Sequence, residues 1–319
     1  MLPFQLTPVY KDYLWGGTKL KTQFHKQTDL QCVAESWELS AHHDGDSVIA
    51  GSELAGMTLS EFVKRFPQLV GTRFYGHTEF PVLVKLIDAN KNLSVQVHPD
   101  DVFAQKEENA QGKTEMWVIL DCEPGAFLYF GFEHPVSEEE VRRRISDGTI
   151  TEILQKVPVE KGDVYFIPAG TVHAIGAGIL LAEIQQNSNT TYRVYDFGRL
   201  DQDGRPRALH VEKALEVAKR EPASLDAPNA GDLGMNAEYR IRRLAKCGYF
   251  NSEMLELSGR YIREMDHSTF VFLLCTDGSA KFCCNENEWE LSKGENFFIP
   301  SDQTGFTLSG DGTFLITTL

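Results

Sequence analysis

KGDVYFIPAGTVH at 161–173 and KGENFFIPSDQTG at 293–305 decide the fold. They align without a gap, each reading as a glycine turn, a buried strand and a proline-led turn. A chain that carries this unit late in each of two halves is read as a duplication of one β-unit. The copies differ where chemistry is at stake. Gly170 and His173 in the first stand against Asp302 and Gly305 in the second, so one copy keeps an imidazole that the other lacks.

Working outward, short runs rich in β-branched and aromatic residues recur between turn signals, which predicts an all-β chain. Examples are FPVLVKLID (80–88), EMWVILD (115–121), TTYRVYDFG (190–198) and TFVFLLC (269–275). Helices are expected to be few. Thr58 with Glu61 and Ser137 with Glu140 each have the spacing of a capping box, and 210–220 is amphipathic. EPASLDAPNAGDLGMN (221–236) has no periodicity and reads as a linker. The expected division is therefore a first unit over 1–220 with a small helical insertion near 137–155, the linker 221–236, and a second, metal-free unit over 237–319.

The bulk numbers exclude some functions. At 319 residues the chain has room for about two units, and its charge of −15 speaks against a nucleic-acid partner. An anionic substrate would then need a local basic pocket. No signal peptide and no run long and apolar enough for a membrane helix is visible, so no membrane partner is expected. Six scattered cysteines without a CxxC pair suit a reducing cytoplasm. The residues set no oligomeric state.

In SVQVHP (94–99) strand alternation puts Gln96 and His98 on one face, and Pro99 ends the strand. Glu115 heads an apolar strand, a costly place for an unsatisfied carboxylate. His173 follows the turn Pro168-Ala169-Gly170. An amide oxygen, two imidazoles and a carboxylate form a mixed N/O set suited to zinc or another first-row divalent ion, if the three segments converge. Taken singly, His98 or His173 reads as a hydrogen-bonded core residue and Glu115 as a partner of Lys113. WELSAHHDG (37–45), with two adjacent histidines, reads as a surface turn beside a strand.

GDVYFIPAGTVH (162–173) resembles the second cupin motif, while Gln96-x-His98 with a displaced Glu115 departs from the first. That departure, with SVQVHPDD (94–101), GKTEMWVIL (112–120), PAGTVHAI (168–175) and NTTYRVYDFGR (189–199), resembles the type I mannose-6-phosphate isomerases over about the first 220 residues. The resemblance implies two cupin (jelly-roll) units and one zinc ion per chain, held by Gln96, His98, Glu115 and His173. It implies interconversion of mannose 6-phosphate and fructose 6-phosphate through an enediol(ate). Arg193 matches the family's catalytic arginine, and Glu183 a carboxylate near the sugar that is equally a structural acceptor. Ser94 and Lys113 match phosphate contacts, and Arg199 stands where the family has a lysine. Within the chain itself, Arg193 has Asp196 as its alternative partner. Two rivals remain in view. One is a cupin non-haem metal oxygenase, against which Gln96 counts by filling a coordination position. The other is a non-catalytic sugar-binding cupin.

Overall fold

The strands Val82–Ala89 and Ile179–Gln186 are buried at every position. A strand shows this pattern only when both faces of its sheet are covered. The computed structural model, which describes residues 1–200 and 203–319, shows what covers them. The chain begins with β1 (Gln5–Thr7), β2 (Val9–Lys11), β3 (Glu35–Leu39), the hairpin β4 (Ala41–His42) and β5 (Gly45–Asp46), and β6 (Val48–Ala50). There follow β7 (Val82–Ala89), β8 (Val95–Val97), β9 (Glu115–Cys122), β10 (Phe127–Phe132) and β11 (Leu154–Pro158). β12 (Val164–Ile167), β13 (His173–Ile175), β14 (Ile179–Gln186) and β15 (Tyr192–Tyr195) complete this half. The second half has β16 (Gly231–Met235), β17 (Tyr239–Lys246), β18 (Asn251–Leu257), β19 (Arg260–Glu264) and β20 (Val271–Cys284), then β21 (Asn287–Ser292), β22 (Asn296–Ile299) and β23 (Gly305–Thr318).

In the first half a six-stranded sheet, β12-β9-β14-β7-β3-β2, faces a five-stranded one, β11-β10-β13-β8-β15. Trp117, Ile119, Phe130, Ile167, Ile175 and Leu181 fill the space between them. The outer face of the five-stranded sheet packs Val95, Val97, Ala174 and Val194 against Val141, Ile145 and Leu215 of the helices Glu138–Ser146 and Val211–Val217. The second half repeats the six-stranded order as β22-β20-β23-β18-β17-β16. β20 and β23, 14 residues each, run on to pair with β21 and β19 and so form its facing layer.

The two six-stranded sheets pack back to back. Val84, Leu86, Met116 and Ile184 of one share a core with Met254, Phe272, Leu274 and Leu315 of the other. Phe298 lies at its centre, its ring stacked on Phe4 at 5.2 Å and on Phe270 at 4.9 Å. Truncating such a ring leaves a cavity that the surrounding sheets cannot close. Phe298→Ala is therefore expected to cost about 3–5 kcal/mol of stability, read as a lower midpoint in denaturant.

Four local expectations change. The linker tract ends in β16, which pairs with β17 through Gly231↔Arg243 and Asp232↔Arg242. As an edge strand exposed at nearly every position it has no buried face to write a period-two pattern. The helix expected over 210–220 closes at Val217, with Ala218 already extended. Ser137 accepts from Glu140 N at 3.1 Å, but Glu140 pairs with Arg144 and does not return to close the box. Finally, the gapless alignment of the two copies slips by one. His173, opposite Phe130 and Gln96, faces the interior. In the second unit the inward residue opposite Arg263 is Phe306, because the proline turn there is one residue longer.

Candidate metal centre

β8 is the pivot of the site. Gln96 stands opposite His173 on one neighbour and opposite Arg193 on the other, so all three lie in one row on the inner face. His98 follows two positions on, on the same face. Across the interior, Glu115 opens β9 between Ile167 and Gln185. The three segments that carry candidate ligands do converge. His98 Nε2 lies 3.6 Å and His173 Nε2 3.2 Å from the two Glu115 oxygens, and the three side chains are at most 1% exposed. Their ligand atoms fall within 4.8 Å of one another.

The protonation pattern is what marks the cluster. His98 Nδ1 lies 3.0 Å from Thr190 O, and His173 Nδ1 2.9 Å from Thr171 O. A carbonyl only accepts, so each Nδ1 carries the proton and each Nε2 presents a lone pair. Both Nε2 atoms and Glu115 Oε1 are buried without a hydrogen-bond partner. Burial pushes the Glu115 carboxyl up to about 7, and three acceptors turned on one another repel unless a proton or a cation sits among them; a divalent ion satisfies all three at once. Burial, aided by Lys113, holds His98 well below the usual imidazole range; burial takes His173 to about 4. Both rings are thus kept in the metal-binding form. Gln96 shares the row of His173 and the face of both rings.

A ladder of alternating charge runs away from the cluster. Lys113 Nζ lies 2.8 Å from Glu115 and 3.8 Å from Glu183, and Lys85 Nζ lies 3.3 Å from Glu183 and 3.4 Å from Glu35. Trp117 Nε1 donates to Glu183 at 2.9 Å, and Trp37 Nε1 to Glu35 at 2.6 Å. Burial alone would raise Glu183, but Lys113 and Lys85 hold its carboxyl well below the usual range. Lys85 and Glu35 were missed in the sequence, although a lysine inside FPVLVKLID was a visible signal.

Arg193 makes no ion pair with Asp196. Asp196 instead takes both Arg199 and Arg207. Arg193 Nη1 donates to Ala208 O at 2.9 Å, its Nε is buried without a partner, and its backbone N–H donates to His210 Nδ1 at 3.0 Å. His210, given no role from sequence, thus fixes the Arg193 backbone. Arg199 Nη1 also donates to Asn92 O, two residues before the buried Ser94. Arg193, Arg199 and Arg207 around one carboxylate make a local basic patch. In the β4–β5 turn His42 is buried, not on the surface. Its group with His43 and Asp44 differs from the first, because Asp44 N donates to His42 Nδ1 at 3.0 Å and Asn189 to Asp44 at 2.8 Å.

Comparison with known proteins agrees with this arrangement. Residues 3–119 match the model of the phosphomannose isomerase type I catalytic domain, and 240–319 that of the mannose-6-phosphate isomerase cupin domain. A probable mannose-6-phosphate isomerase of Bacillus subtilis, GmuF, is 39% identical, with 98% of each chain covered. The mannose-6-phosphate isomerase ManA of the same organism is 36% identical over 97% of this chain and 96% of its own. The crystal structure of a Bacillus subtilis mannose 6-phosphate isomerase superposes with a TM-score of 0.94 at 32% identity, covering both chains fully. With both halves matched in order, and the buried His-Glu-His cluster lying between the paired sheets, this chain belongs to the type I mannose-6-phosphate isomerase family.

Proposed function

We infer that the chain interconverts mannose 6-phosphate and fructose 6-phosphate at a single zinc ion held by Gln96, His98, Glu115 and His173. The observation that carries this reading is the convergence of three buried, unpartnered acceptors on one point. When bound, the ion supplies a Lewis acid that polarises the oxygens at C1 and C2 of the open-chain sugar.

The chain's own residues do the rest. Arg193, in the row of Gln96 and His173 and without a carboxylate partner among the described residues, stabilises negative charge on those oxygens as the C–H proton leaves. Lys113, 2.8 Å from Glu115, belongs with the reacting end of the sugar and not with its phosphate. The phosphate goes to the patch made by Arg199 and Arg207, with Ser94 two residues from Asn92, whose carbonyl Arg199 holds; the patch gives a chain of −15 local positive charge at this site. Glu183 is a poor proton acceptor, tied to two lysines and an indole N–H, and serves to position Lys113. Six free cysteines support a cytoplasmic location. No helix among the described residues is long and apolar enough to cross a membrane.

Lys113→Met separates the two roles open to that residue. Service at the reacting end predicts a fall in kcat of about 10²-fold with KM little changed, whereas a phosphate contact would raise KM alone. The function itself is tested by a coupled assay that detects fructose 6-phosphate from mannose 6-phosphate, run beside an oxygen electrode. Turnover without oxygen uptake is expected. Oxygen uptake without isomerisation would favour the oxygenase, and neither activity the sugar-binding reading.

A further inference from the structure

The second unit has an interior of its own, and its mouth corresponds to the metal centre of the first. Cross-strand pairing fixes the correspondence. Ile167 pairs with Glu115 in the first unit and Ile299 with Val271 in the second, so Val271 stands where Glu115 does. Gln96 faces His173 as Arg263 faces inward Phe306. Lys85 pairs with Trp37 as Glu253 pairs with Arg243. Three of the metal-site positions have lost their metal-binding chemistry. A ligand carboxylate becomes valine, a ligand imidazole becomes phenylalanine, and the glutamine becomes an arginine.

A cavity of about 370 Å³ lies at this mouth, lined by Arg243, Lys246, Asn251, Glu253, Arg263 and Arg73, with Glu264 and Asp266 among its other lining residues. That volume suits a small metabolite. Two polar atoms of its lining are buried without a partner, Nε of the half-buried Arg243 and Oδ1 of the buried Asn251. Arg263 is already ion-paired to Glu253, and Arg73 donates to Leu319 O at 2.5 Å. Arg243 and Lys246 face no such claim. A guanidinium with an unmet N–H at the mouth of a cavity is costly unless an acceptor completes it, and an oxyanion does so with the planar fork that arginine presents. Asn251 Oδ1, 8% exposed as a residue, asks in turn for a donor such as a hydroxyl.

The structure assigns this cavity as a second ligand site, in which Arg243 and Lys246 bind the phosphate group of a small hydroxylated phosphate ester and Asn251 accepts from its hydroxyl. The assignment does not depend on the isomerase reading, because it is tested by binding and not by turnover.

Equilibrium dialysis of the metal-loaded full chain with labelled inorganic phosphate and with labelled glycerol 3-phosphate tests it. Saturable binding is expected that an Arg199→Met/Arg207→Met double variant, which lacks the proposed phosphate patch of the first unit, retains, and that Arg243→Met added to it weakens at least about tenfold. Glycerol 3-phosphate should bind more tightly than inorganic phosphate. Arg243→Met should keep wild-type turnover, which also reports that it folds. If it does not fold, Lys246→Met carries the test, with an expected weakening of about threefold. Binding untouched by Arg243→Met and by Lys246→Met, or no saturable binding beyond what the Arg199→Met/Arg207→Met variant loses, overturns the site. Equal affinity for the two probes overturns the ester assignment.

Discussion

Alanine at His98, Glu115 or His173 is expected to abolish isomerase activity and to strip the metal in the same step. On the proposed reading each residue supplies one of at most four ligand groups, and each lies in an interior where water cannot stand in freely for the missing donor. Catalytic zinc keeps three strong protein donors, and a shell cut to two of them and an amide oxygen holds a divalent ion too weakly to survive dialysis. Loss of Glu115 also leaves Lys113 without its nearest carboxylate, so that variant is expected to lose folding stability as well. Metal content by elemental analysis, read beside turnover, checks each residue separately. Full occupancy with near-normal turnover in any one of the three would remove that residue from the ligand set.

Arg193→Ala should separate chemistry from binding. The guanidinium lies in the row of Gln96 and His173 and is bound only through Nη1 to a carbonyl. Its charge is therefore free to meet charge that develops on the sugar oxygens. Removing one such donor costs about 10²–10³ in kcat where the transition state alone uses it. The expected result is a fall of that size with metal content unchanged and KM moved only slightly. A rise in KM with kcat intact would instead make Arg193 part of the phosphate patch with Arg199 and Arg207.

The grouping of His98, Glu115 and His173 was legible because such residues stand out against their strands. Gln96 and His98 share a face by strand alternation, and Glu115 interrupts an apolar run that gives a carboxylate no other reason to be there. What a linear reading does not give is the partner across a sheet. Asp196 is three residues from Arg193 in sequence, yet β15 turns the Asp196 carboxylate toward Arg199 and Arg207. Glu183 was read as a possible base, but its role depends on Lys85, which comes opposite it only once β7 and β14 pair. The duplicated unit was visible from one conserved turn. Its inner face was not, because a single added residue before Phe306 shifts which side chains point inward. β16 escaped notice for a related reason, since an edge strand exposed on both faces carries no hydrophobic period.

The account rests on one catalytic metal ion per chain, in the first unit. Its most direct test is to strip the protein with a chelator, confirm removal by elemental analysis, and titrate zinc back while assaying mannose 6-phosphate turnover. Activity should be absent in the stripped protein and rise linearly to a plateau at one equivalent per chain. Full turnover in the metal-free protein, or a plateau reached only at two equivalents with the second lost on substitution beyond residue 240, would contradict it.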